Sequence, residues 1–122
     1  MAEVKRTYYP SGKLLSEVFE INGKKNGEFK TYHKNGELLS IIFYIDDKMQ
    51  GEFKSYYGDG QLCEIKFFID DKIQGEFKRY HENGQLEEIC TYVDGKWNGD
   101  AKWYHYDGYL MNIFVDGKKV EL

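Results

Sequence analysis

The chain has 122 residues, 41% of them hydrophobic and 17% aromatic, which excludes a disordered chain despite 31% charge. Its formal charge of −4 argues against nucleic acid as the main partner. No apolar run approaches the ~20 residues of a membrane helix and no signal-peptide pattern opens the sequence, so the expected location is cytoplasmic.

One stretch organises everything else. Tyr80-His-Glu-Asn-Gly-Gln-Leu-Glu-Glu-Ile-Cys-Thr-Tyr-Val-Asp-Gly-Lys-Trp-Asn-Gly99 recurs five times, with its central glycine at Gly12, Gly36, Gly60, Gly84 and Gly108. A leucine follows in phase at Leu14, Leu38, Leu62, Leu86 and Leu110, and a second glycine recurs at Gly27, Gly51, Gly75 and Gly99. An unbroken 24-residue period means stacked supersecondary units, each needing its neighbours to bury an apolar face. Residues 1–122 are therefore read as a single repeat domain, with repeats starting near Tyr8, Tyr32, Tyr56, Tyr80 and Tyr104.

In chain order, strands are expected at about 4–9, 13–21, 28–33, 37–45, 52–57, 61–69, 76–81, 85–93, 100–105 and 109–115. The first turn of each repeat is Ser11-Gly12, Asn35-Gly36, Asp59-Gly60, Asn83-Gly84 or Asp107-Gly108, residues that supply the positive φ of tight hairpins. The second is Asn22-Gly23, Asp46-Asp47, Asp70-Asp71, Asp94-Gly95 or Asp116-Gly117. Three further residues and then a glycine follow in four copies, which predicts a longer loop with two backbone irregularities. The last copy is two residues shorter, and the chain is expected to end before another strand. No useful 3.6-residue apolar period appears. The predicted fold is all-β: an extended antiparallel meander of about ten strands, five β-hairpin repeats in a curled, solenoid-like sheet.

Alternation assigns the faces. Ile41, Phe43 and Ile45 share one side of their strand, as do Ile65, Phe67 and Ile69, and then Ile89, Thr91 and Val93. This is the most apolar stripe and the predicted core, so Phe67→Ala should cost ~3–5 kcal/mol. Leu38, Ile42 and Tyr44 lie on the other side, so both faces are partly apolar and a flat layer cannot bury both. Curling, coiling or a homo-oligomer would cover the remainder. On the short strands Phe29, Phe53 and Phe77 face one way. Tyr32, Tyr56, Tyr80 and Tyr104 face the other, beside Glu28, Glu52, Glu76 and Asp100 and beside Lys30, Lys54, Lys78 and Lys102.

Candidate chemistry is sparse. His33, His81 and His105 share one repeat position, so the nearest two are ~10 Å apart, too far to converge on one metal ion. They are read as polar surface positions. Every repeat has the same carboxylate, so none is singled out for acid/base work, and the row reads as a solvated charge ladder. Cys63 and Cys90 sit at repeat offsets that point opposite ways, so no disulfide is expected. The expectation is a non-enzyme with no metal and no cofactor. The tyrosine row, Tyr32, Tyr56, Tyr80 and Tyr104, is the candidate partner-binding face, because regularly spaced aromatics give large contact area at low entropy cost.

The unit Tyr-x3-Gly-x-Leu, then aromatic-Ile/Val-Asp-Asp/Gly-Lys, then Gly-Glu-Phe-Lys-x-Tyr, resembles the MORN-repeat variant family, the bacterial class often called YwqK-type antitoxins. The likeness runs from Tyr8 to about Lys119. It implies repeated β-hairpins in an extended sheet and a scaffold that binds a protein partner, in an antitoxin-like role. A peripheral phospholipid-binding module is the alternative, which the acidic balance and absence of a basic cluster disfavour. No catalytic motif accompanies the family.

Overall fold

The computed structural model describes all residues from Met1 to Leu122. It contains no helix. Its strands are β1 (Ala2–Tyr8), β2 (Leu14–Ile21), β3 (Lys24–Tyr32), β4 (Leu38–Ile45), β5 (Lys48–Tyr56), β6 (Leu62–Ile69), β7 (Lys72–Ile73), β8 (Gly75–Tyr80), β9 (Leu86–Val93), β10 (Lys96–Tyr104), β11 (Leu110–Val115) and β12 (Lys118–Val120). All belong to one open antiparallel sheet, and spatial order follows chain order, with β7 a short spur on β6. The predicted all-β meander of hairpins is what the chain forms. Two strands more than expected arise because β7 is separated from β8 by one residue and because Lys118–Val120 pairs with β11 rather than ending the chain unpaired.

The two turns of each repeat differ in kind. At the first, the Tyr9 N–H donates to the Lys13 carbonyl and the Gly12 N–H to the Tyr9 carbonyl, each at 2.8 Å. This pattern recurs at His33, Tyr57, His81 and His105. It is a three-residue hairpin loop closed by a left-handed glycine. Only the glycine takes positive φ, +92° at Gly60, and the residue before it instead accepts a hydrogen bond two residues on, as Asn35 Oδ1 does from the Glu37 N–H at 2.9 Å. Nothing lies within 4 Å of a Cβ added at Gly60, so only backbone strain opposes substitution there. Gly60→Val is expected to lower stability by ~1–3 kcal/mol, since a β-branched residue resists that region. Thermal denaturation checks it, and an unchanged melting temperature would contradict it.

The second turn is not the longer loop that the sequence predicts. Ile45 pairs with Lys48 and Ile21 with Lys24, leaving two-residue turns. Asp46 and Asp47 both take positive φ, 46° and 69°, the conformation whose twist matches the flanking strands. The following glycine lies inside the next strand as a bulge. Phe43 pairs with Gln50 and Ile41 with Lys54, so two extra residues sit on β5 around Gly51. On its other side β5 stays in register, with Gly51 opposite Phe68. A loop reading misses this because the bulged segment keeps its ladder on one side only.

The predicted core stripe is inverted. Ile42 and Phe68 are 4% and 8% exposed, while Phe43 and Phe67 are 45% and 43% exposed. The buried side chains Val18, Ser40, Ile42, Phe68, Phe77, Cys90 and Ala101 all lie on one face, here the packed face. Register explains the choice. Phe29 is opposite Ile42, and Phe77 opposite Cys90, whereas Glu28 is opposite Phe43 and Lys30 opposite Ile41. The short strands thus put their aromatics on the packed face and their charges on the other, the open face. Along the packed face, edge-to-face ring pairs Phe29–Tyr44, Phe53–Phe68, Phe77–Tyr92 and Trp103–Phe114 repeat at 5.4–6.4 Å between centroids. Lys66, which replaces the buried Ile42 in the next repeat, lies over three rings at 4.8–5.8 Å.

This packing is shallow. The chain exposes 7765 Å², against about 6,800 Å² for a compact protein of this mass, and no large side chain is completely buried.

Candidate functional site

The open face is a lattice of four rows running across the strands. The row nearest the second turns holds Ile21, Ile45, Ile69 and Val93, all more than two-fifths exposed, each paired with an exposed lysine, Lys24, Lys48, Lys72 or Lys96. Next comes an alternation of Phe19, Glu28, Phe43, Glu52, Phe67 and Glu76, set by the pairings of Glu28 with Phe43 and Glu52 with Phe67. The third row alternates Lys30, Ile41, Lys54, Ile65, Lys78 and Ile89. The fourth holds Tyr32, Tyr56, Tyr80 and Tyr104, each paired with the leucine six residues on.

The predicted tyrosine row therefore exists, and it shares a face with the charge ladder as expected. It also shares a face with the Ile-Phe-Ile stripe, which was expected to be core. Sequence reasoning misses Phe43, Ile45, Phe67 and Ile69 as surface residues for that reason. The four tyrosines are half-buried rather than fully exposed. Tyr56 lines a shallow trough of about 430 Å³ with Phe43, Ile41, Leu38, Glu52 and Lys54. The leucine beside each tyrosine closes a second bulge, for Thr31 pairs with Ser40 but Tyr32 with Leu38.

Charges on this face pair along their own strand. Lys54 Nζ is 3.1 Å from Glu52 and Lys78 Nζ 3.6 Å from Glu76. The Lys54 ammonium donates to the Glu52 carboxylate, which raises the lysine's pKa. Such exposed pairs contribute little to stability. They leave central rows of alternating sign beside the lysines of the turn-side row.

The histidines are not plain surface positions. His33 Nε2 is 2.7 Å from the Tyr56 carbonyl and His81 Nε2 2.9 Å from the Tyr104 carbonyl. At the same repeat position the Tyr9 hydroxyl donates to the Tyr32 carbonyl and the Tyr57 hydroxyl to the Tyr80 carbonyl. Each ring spans one repeat and satisfies the carbonyl of the next tyrosine, holding the Tyr row in place from behind. His105 has no such carbonyl and stacks on Tyr109 at 4.5 Å. No set of three His, Cys, Asp or Glu side chains is gathered as a metal site would need. Both cysteines are free thiols. Burial, then the nearby Glu88 carboxylate, pushes the Cys90 thiol up to about 11, so it is a protonated core filler at neutral pH.

No curated protein sequence matches the chain. Among solved structures, TarM resembles it with 14% identity and a TM-score of 0.48, over 77% of this chain and 18% of that one. A mutant of S. aureus TarM in complex with fondaparinux, alpha-GlcNAc-glycerol and UDP gives the same identity and score, over 19% of its chain. The chain thus spans about a fifth of these proteins. The profile of the MORN repeat variant matches at residues 4–19, 25–46, 49–70 and 73–94. Those segments cover more than half of the sequence and coincide with the hairpins just described, so the chain belongs to the MORN-repeat variant family.

Proposed function

We propose that this chain is a non-catalytic β-hairpin repeat scaffold that acts by protein–protein contact through its open face. The observation that carries the reading is the exposure of large apolar side chains, on the open face from Val4 and Phe19 through Phe43 and Phe67 to Val115 and on the packed face chiefly at Trp97, on a sheet with no second layer. Large exposed apolar side chains in regular rows, here interleaved with Glu and Lys, mark an interaction site. Tyr32, Tyr56, Tyr80 and Tyr104 border it as rigid anchors. Repeated, solvent-exposed Glu–Lys pairs support the non-enzymatic part, since neither Glu52 nor Glu76 on this face is set apart from its equivalents. An antitoxin role fits as a special case, in which the partner is a toxin held on this face.

Replacing both Tyr56 and Tyr80 by serine is expected to abolish capture of the partner by the tagged chain from a lysate of its source cells, with ~2 kcal/mol or more of binding lost. The melting temperature should move little, because these side chains are only half-buried. A large fall in melting temperature with capture retained would make the tyrosines structural and end the platform reading. Salt-sensitive co-sedimentation with anionic vesicles would favour a lipid-binding module instead.

A further inference from the structure

The two central rows of the open face are complementary to themselves under one particular rotation. On each short strand it places an acid one row from a lysine: Glu28 and Lys30, Glu52 and Lys54, Glu76 and Lys78. On the long strands the same two rows hold Phe43 and Ile41, then Phe67 and Ile65. A two-fold axis lying in the face, running along the stack midway between these rows, exchanges them and keeps every strand opposite its own copy. Glu52 then meets Lys54 of the second copy, and Phe67 meets Ile65. The outer rows exchange too, so Ile45 lies over Leu38 of the second copy. The alternative in-plane axis, along the strands, sets acid over acid and lysine over lysine when it runs on a strand, and Glu over Phe and Lys over Ile when it runs between strands, and both cost free energy.

The area agrees with this arrangement. Eleven consecutive strands span ~48 Å, and the four rows ~20 Å, a footprint of about 1,000 Å². A stable interface takes about 800 Å² from each partner. The surplus of the chain's 7765 Å² over a compact protein is also about 1,000 Å². Two such sheets stack ~10 Å apart, near the separation at which facing side chains interdigitate.

We infer that the occupant of the open face is a second copy of this chain, in a face-to-face dimer whose two-fold axis runs along the repeat stack. The inference rests on the reading of that face as a protein interface and names its partner. An isologous contact of this kind closes, so assembly stops at two.

Sedimentation equilibrium on the full chain tests it. A species of about 29 kDa is expected, twice the chain's 14.4 kDa. Glu52→Lys with Glu76→Lys should weaken the dimer by about tenfold or more, because lysines then face Lys54 and Lys78. Adding Lys54→Glu and Lys78→Glu restores opposite charges across the axis and should restore the dimer. A chain still monomeric at about 100 µM, or a dimer indifferent to the charge exchange, overturns the proposal. Monomeric behaviour with Tyr-dependent capture intact passes the face to a different protein, whereas loss of that capture result removes the interface reading itself.

Discussion

Gly99→Ala is expected to cost about 3 kcal/mol or more and to lower the melting temperature by ~10 °C or more. Gly99 occupies the bulge position of its repeat at φ +98°, where an L side chain is already strained. Its surroundings set it apart from the equivalent glycines. In earlier repeats the following second turn docks before the bulge, as when the Asp71 N–H donates to the Met49 carbonyl and the Asp70 N–H to Gln50 Oε1, both at 3.1 Å. The last repeat lacks two residues, so its turn slides along β10 onto the bulge. The Gly117 N–H donates to the Gly99 carbonyl at 2.8 Å and the Asp116 N–H to Asp100 Oδ1 at 3.1 Å. A Cβ on Gly99 would lie 2.4 Å from the Gly117 nitrogen and 2.8 Å from the Asp116 carbonyl carbon, backbone atoms that cannot rotate away. Gly51→Ala is the matched control, with similar φ and nothing within 4 Å. Chemical denaturation should show Gly99→Ala losing more than Gly51→Ala by at least ~1 kcal/mol. Equal losses would mean that the last turn does not press on the bulge.

Phe77→Ala is expected to cost ~3 kcal/mol. Phe77 is buried against Cys90 and Ala101, with Tyr92, Trp103 and Phe114 packed around them. This is where the repeat departs from its pattern. Ala101 stands where the other copies have Phe29, Phe53 and Phe77, and Trp103 fills the space from the neighbouring position, 5.4 Å from Phe114. Removing the Phe77 ring also removes a surface on which Lys66 and Arg79 rest, at 5.6 Å each. A single-layer sheet has little else to collapse into the gap. Urea denaturation of the variant checks this, and a loss under ~1 kcal/mol would show that the cluster is not a core.

The repeat period was legible because tight turns accept few residues. Gly12, Gly36, Gly60, Gly84 and Gly108 mark every first turn, and the Asn, Asp and Gly pairs mark every second one. The bulges were not. A glycine four residues beyond a turn looks like loop continuation, and only the pairing of Gly51 with Phe68 places it in a strand. The face assignment failed because Leu38–Ile45 is apolar on both sides, so its own alternation carries no information. The neighbouring Glu28 and Phe29 do carry it, once the two-residue turn fixes the register. The forward reach of His33 and His81 depends on how one repeat is offset from the next, which no spacing within a repeat reveals.

Phe67 and Phe68 are chemically identical neighbours on opposite faces of β6, and the stability difference between their alanine variants tests the account most directly. Measured by chemical denaturation at a dilution where the chain is monomeric, Phe68→Ala should cost ~3 kcal/mol and Phe67→Ala less than ~1 kcal/mol. Equal costs, or a larger loss at Phe67, would contradict the packed and open faces on which the proposed interface is built.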